Sequence, residues 1–233
     1  MKRPFAVQMR RYEIIGGLIW LAVYLFLMSD LTQLLLQLMG VRISTLTLNK
    51  AYFLGCFLVT AVLFRRFLSY SLPEVADRPL RVLVGILLGY CIYAACQGTL
   101  SMVYGHLVPN LKTPNDDNIR AIAQSSYSTM AVAAVLLAPI TEETLLRGLV
   151  FGNLRKKNRI VAYVVTAVLF SGIHIMNYVL TLDLTSLMLN FLLYLLPSVA
   201  LCVCYEYAGT IWAPILLHMI INALSMWVMG QGV

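Results

Sequence analysis

About seven stretches of mostly apolar residues, each close to the length of a membrane-crossing helix, set the first limit on what this chain can become. A hydrocarbon core of about 30 Å needs roughly 20 such residues in a helix. That ruler marks 13–35, 46–64, 80–104, 125–152, 160–180, 184–205 and 208–229. Asp30 interrupts the first stretch, so 31–39 reads as an amphipathic or interfacial extension; counted as a span of its own, it raises the total to eight. With 61% hydrophobic and only 12% charged residues in 233, the chain lacks the polar surface that a soluble fold requires, and the same composition excludes disorder. The expected fold class is therefore all-α, a polytopic membrane helix bundle of about seven, or eight, transmembrane helices. No internal repeat or low-complexity tract is visible.

Basic residues set the expected orientation. Lys2, Arg3, Arg10 and Arg11 precede the first apolar run and imitate a signal peptide, but no small-x-small cleavage site closes 18–28, so a retained first span is expected. With seven spans and the N-terminus inside, thirteen Lys and Arg residues fall on inner segments, Arg147 among them, against four (Arg42, Lys50, Lys112 and Arg120) on outer ones. This distribution accounts for the net charge of +7 and for attraction to anionic lipid head groups. No basic stripe with interleaved aromatics is present, so nucleic acid is not an expected partner. The five cysteines lie in apolar stretches without C-x-x-C spacing and are expected to be buried free thiols.

Against this background the polar residues of the C-terminal half stand out. Ionisable groups at membrane depth cost about 2.5–3.5 kcal/mol each on insertion scales. Glu142 and Glu143 nevertheless end an apolar run, with Arg147 four residues on; His174 ends another, and His218 and Asn222 share one face of a third. On a helix Glu143 and Arg147 can pair, while Glu142, about 100° around the axis, keeps its carboxylate free. Such a set can activate water. At about 1.5 Å per residue, Glu142 lies about 20 Å from Arg155, His174 about 22 Å from Arg159, and His218 and Asn222 about 15 and 21 Å from Ala208. Three helices would thus bring polar groups to one level. Pro139 and Pro214, each just before a polar motif, are candidates for kinks that open a cavity. His106 has no such company and is expected to be a solvated loop residue within 105–118.

The motifs resemble those of the CPBP family, the CAAX-processing and bacteriocin-processing (Abi) intramembrane proteases related to the type II CAAX prenyl endopeptidases. That family carries Glu-Glu-x-x-x-Arg, Phe-x-x-x-His and His-x-x-x-Asn on separate membrane helices. This chain supplies Glu142-Glu143-x-x-x-Arg147, Phe170-x-x-x-His174 and His218-x-x-x-Asn222 in that order. The resemblance divides the chain into N-terminal transmembrane helices, 1–120, and a catalytic helix core, 121–233. It implies an endopeptidase in which Glu142, helped by His174, activates water, His218 and Asn222 stabilise the oxyanion, and Glu143 and Arg147 support them. The family has also been described as zinc-dependent, which would make Glu142, His174 and His218 metal ligands. The chain lacks the His-Glu-x-x-His signature, and a glutamate base without obligatory metal is the expectation. The implied partner is a membrane-associated peptide or protein substrate, and the short loops look like those of members from bacterial cell membranes, with roles in peptide maturation or bacteriocin immunity. A non-catalytic immunity factor or a small transporter is the competing reading, although no inverted repeat supports transport.

Overall fold

The computed structural model describes residues 5–108, 111 and 113–231; Lys2, Arg3 and Lys112 of the charge pattern lie outside them. Its elements are α1 (Arg11–Phe26), α2 (Met28–Leu38), α3 (Thr45–Leu63), α4 (Arg65–Ser71), α5 (Pro73–Asp77), α6 (Pro79–Leu107), α7 (Pro114–Ala131), α8 (Ala138–Glu143), α9 (Gly152–Leu154), α10 (Arg159–Ile175), α11 (Leu184–Ala208) and α12 (Trp212–Gly230). Segments of π-helix, Val132–Leu137 and Thr144–Phe151, flank α8 on both sides. Among the described residues six helical stretches are long and apolar enough to cross a membrane, and α1 with α2, bent by 77°, makes a seventh at most. The eighth span is not formed. With 11 residues, α2 is about 16 Å long, half the hydrocarbon thickness.

Three boundaries differ from the sequence reading, each for a local reason. The helix carrying the glutamates begins at Pro114 instead of near residue 125, because Pro at the first turn and Asp116 and Asp117 beside the amide-rich end favour initiation there. This helix is bent where Ser126 leaves helical geometry (φ −162°, ψ 88°). His106 lies in the last turn of α6, exposed but helical. Finally, α12 starts at Trp212, which puts Pro214 in its first turn, where a missing N–H breaks no bond, so Pro214 does not kink the helix. Pro197 lies inside a helix, in α11. Asp183 caps that helix by accepting from Ser186 N–H at 2.9 Å, which holds its carboxylate below the usual range.

In a lipid solvent close backbone approach drives helix association more than apolarity does. Gly85 and Gly89 of α6 face Ala200, Cys204 and Ala208 of α11. A Cβ on Gly89 would lie 3.0 Å from Cys204 Cβ and 3.2 Å from Ala200 carbonyl oxygen; one on Gly85 would lie 3.0 Å from Ala208 Cβ. Small residues four apart on both helices thus let the two backbones meet. The core beneath contains Leu145, Leu146, Phe151, Tyr205, Ile215 and Leu217, all essentially inaccessible. Ile19, Val62, Leu80 and Trp227 point outward, as a lipid-facing surface requires. Cys56, Cys202 and Cys204 are buried thiols, whereas Cys91 is exposed and Cys96 partly so. The expectation of five buried cysteines is corrected accordingly: the face of α6 carrying Cys91 is not packed against the bundle.

Candidate active site

Glu142 and Glu143 end α8, between two π segments. A π turn inserts an extra residue into the helical register, and such insertions concentrate at functional sites. In the first segment Ala138 N–H donates to Ala133 carbonyl, five residues back. The next donor in that register would be residue 139, which is proline and has none, so Ala134 carbonyl is left without its main-chain partner. Asn222 Nδ2 donates to that oxygen at 2.8 Å. One amide hydrogen of Asn222 is thereby fixed and the second remains available.

The two carboxylates separate as the helix geometry predicts. Glu143 is fully buried, and its Oε1 accepts from Arg147 Nη1 at 2.9 Å and from His218 Nδ1 at 2.8 Å. Arg147, also inaccessible, donates through Nη2 to Ser198 Oγ at 2.8 Å and Ser198 carbonyl at 3.1 Å, and its guanidinium lies 4.6 Å from the Phe170 ring centre. Glu142 lines the adjoining cavity.

Phe170 is a hub. Its ring centre lies 4.6 Å from that of His174 and 5.9 Å from that of His218, besides the Arg147 contact. His174 Nδ1 is hydrogen-bonded to Phe170 carbonyl at 2.8 Å, and its ring stacks on Tyr194 at 4.3 Å and 18°. The hydroxyl of Tyr194 donates to Asp116 at 3.2 Å and accepts from Asn115 at 3.1 Å. With their Nδ1 atoms engaged, both histidines have Nε2 left for chemistry.

Glu142, His174, His218 and Asn222 line one cavity of about 600 Å³ together with Phe170, Tyr194 and Pro197, a size ordinary for ligand sites. Pro197 leaves Leu193 carbonyl without its helical donor, and Gln97 Nε2 fills that place at 3.2 Å. The depth agreement is looser than the sequence reading had it, since His218 and Asn222 lie only about 9 and 15 Å along α12 from Trp212. The Glu143–His218 bond nevertheless holds the two helices at one level. Tyr194, Asp116, Gln97 and Ser198 carried no motif signal; only the Phe170 position of the motif hinted at its hub.

Zinc can be tested against this arrangement. Among the described residues no three His, Cys, Asp or Glu side chains are gathered closely enough to hold a metal ion. As arranged, Glu142, His174 and His218 do not fit a three-ligand centre.

No curated protein and no solved structure matches the chain. A family match is found across residues 124–224, which contain both glutamates, Arg147, Phe170, both motif histidines and Asn222. This segment, from the second half of α7 into α12, matches the type II CAAX prenyl endopeptidase Rce1-like family.

Proposed function

We propose that the protein is an intramembrane endopeptidase that hydrolyses a peptide bond of a membrane-associated protein or peptide. The observation that carries this reading is the convergence of Glu142, His174, His218 and Asn222 on one cavity within an apolar bundle. The family match over the same residues supports it.

In this mechanism Glu142, with His174 beside it, takes a proton from water as the water oxygen attacks the scissile carbonyl carbon. The carbonyl oxygen becomes an oxyanion held by His218 Nε2–H and the free amide hydrogen of Asn222. Glu143 fits that role for His218: its carboxylate holds Nδ1–H and offsets the charge of an imidazolium, whose Nε2–H then faces the cavity. When the tetrahedral intermediate collapses, the C–N bond breaks and the Glu142 proton passes to the departing amine. The products are a carboxylate and an amine. No step needs a metal. The protein would reside in a bacterial cell membrane with its N-terminus in the cytoplasm, as the basic residues favour. Peptide maturation and bacteriocin immunity are the roles compatible with this activity.

The test is cleavage of candidate membrane-anchored peptides by purified protein in lipid nanodiscs, with products identified by mass. Cleavage by wild type and its loss in Glu142→Gln are expected. Equal cleavage by both would remove Glu142 as the base; a bundle that binds peptides tightly and never cleaves them would favour an immunity factor.

A further inference from the structure

The helix ends sort onto two faces, and the hydrogen bonds between them identify each face. On one, Arg66 donates to Gln8 carbonyl (2.7 Å), Thr210 to Ser71 carbonyl (2.9 Å), Trp212 to Leu68 carbonyl (3.0 Å) and Arg81 to Tyr207 carbonyl (2.6 Å). Arg155, Arg159 and Tyr163 converge there on Glu206. On the other, Asn115 bonds to Tyr194 (3.1 Å), Asn118 to Tyr178 (2.5 Å), Tyr104 to Leu189 carbonyl (3.3 Å) and Tyr127 to Met226 carbonyl (2.8 Å). Setting aside the buried Arg147, ten of the described Lys and Arg residues, at 10–11, 65–66, 78–81 and 155–159, belong to the first face, and three, Arg42, Lys50 and Arg120, to the second. Such an excess marks the cytoplasmic side.

The cavity belongs to the second face. Its lining extends from Glu142 and His218 to Ser101, Tyr104, Thr113 and Asn115, where α6 gives way to α7. No lining residue comes from the basic face. Between the two lies a layer of side chains with almost no accessible surface, including Leu145, Leu149, Phe151, Tyr205 and Ile215.

We infer that the site opens on the non-cytoplasmic face, and that its substrate is a membrane-anchored polypeptide whose scissile segment is presented at that interface. The inference rests on the protease reading and deepens it. A prenylated C-terminus displayed in the cytosol would meet the closed, basic end of the bundle and could not reach Glu142. The substrates fitting this geometry are translocated peptides or proteins that stay anchored by an apolar segment while their cleavable segment lies outside.

Labelling with a membrane-impermeant thiol reagent tests the orientation without requiring hydrolysis. Ser101→Cys and Thr113→Cys at the mouth, Ser225→Cys in the cavity wall and Lys157→Cys on the basic face are compared with the wild-type background. In intact cells the first three should label and Lys157→Cys should not; permeabilisation should reverse the last result. The same pattern is expected in a Glu142→Gln background, so loss of activity cannot be mistaken for loss of orientation. Labelling of Lys157→Cys in intact cells, with the mouth positions silent, would overturn the proposal. In inside-out vesicles a farnesylated CAAX peptide presented on the cytoplasmic leaflet should stay uncut. Its cleavage by wild type but not by Glu142→Gln would overturn the substrate assignment and leave the hydrolase reading standing.

Discussion

The Glu143 carboxylate meets His218 Nδ1 at 2.8 Å across two helices that lie 75 residues apart in the chain. The same oxygen, Oε1, also accepts from Arg147 at 2.9 Å. One buried carboxylate therefore joins a cation that anchors it to a histidine that faces the cavity, and the adjacent glutamates have different work. Glu143 is held by Arg147 and His218, whereas Glu142 lines the cavity.

That division predicts separable phenotypes. Glu142→Gln keeps shape and removes the base, so the cleavage rate should fall by about 10²–10⁴-fold, with the melting temperature of the purified protein unchanged. A large drop in melting temperature would show that Glu142 also holds the bundle together.

Arg147→Ala should behave in the opposite way. It strands Glu143 in the core, and breaking a buried pair costs about 3–5 kcal/mol, so low yield and a lower melting temperature are expected. Replacing both partners by apolar residues of similar volume, Glu143→Leu with Arg147→Met, removes the stranded charge and should recover much of the stability. It should not recover activity, because His218 then has no acceptor for Nδ1–H. Activity at the wild-type level in this double variant would dismiss the positioning role of Glu143.

Asn222 gives a third test. Asn222→Ala should lower the rate by about 10²–10³-fold, the loss typical of an oxyanion donor. Pro139→Ala probes how the amide is aimed. It restores an N–H at position 139 that competes for Ala134 carbonyl, so Asn222 should lose its anchor. The expected result is a smaller fall in kcat than in Asn222→Ala, with KM little changed and stability kept or raised, since an interior proline costs about 3 kcal/mol. Full activity in Pro139→Ala would show that the carbonyl does not position the amide.

Much of this was legible in the chain because a membrane penalises polar residues. Seven apolar stretches fixed the class, and the costly groups Glu142, Glu143, Arg147, His174, His218 and Asn222 advertised themselves by being there at all. The Glu143–Arg147 pair follows from helix spacing alone. The partner of His218 does not, because nothing in the sequence says which of two adjacent glutamates faces α12. Tyr194, Ser198 and Gln97 are ordinary residues until α11 packs against α6 and α10. The π segments were hidden, because π register depends on packing on both sides. Asp30 marked the interruption of the first apolar stretch, and only the position of the bend, at Leu27 with neither proline nor glycine, was not legible. Pro214 was misjudged because the start of α12 depends on the turn after Gly209, whose φ of 79° follows the end of α11.

The α6–α11 contact gives a prediction independent of catalysis. Gly89→Val places its Cβ 2.5 Å from Leu217 Cδ2 and 3.2 Å from Ala200 carbonyl. Overpacking of this kind costs about 1–3 kcal/mol, and α11 carries Tyr194, Pro197 and Ser198. Both melting temperature and cleavage rate should therefore fall. Gly98→Ala, on the same helix where an added Cβ meets nothing within 4 Å, is the matched control and should be neutral.

The last prediction separates a glutamate base from a zinc centre. In a zinc enzyme Glu142, His174 and His218 would be direct ligands, and metal analysis of purified protein should find about one zinc per chain. Ligand substitutions would lower metal content together with rate, and added zinc would restore chelated enzyme. The geometry points the other way, since no three His, Cys, Asp or Glu side chains are gathered as a ligand group among the described residues. Activity should thus survive dialysis against a strong, water-soluble chelator, with zinc well below stoichiometric. Phenanthroline is a poor probe here, since it is apolar and could occupy a cavity of about 600 Å³ without touching a metal. Stoichiometric zinc that disappears in His174→Ala and in His218→Ala, together with activity, would replace the glutamate mechanism and leave the endopeptidase assignment intact.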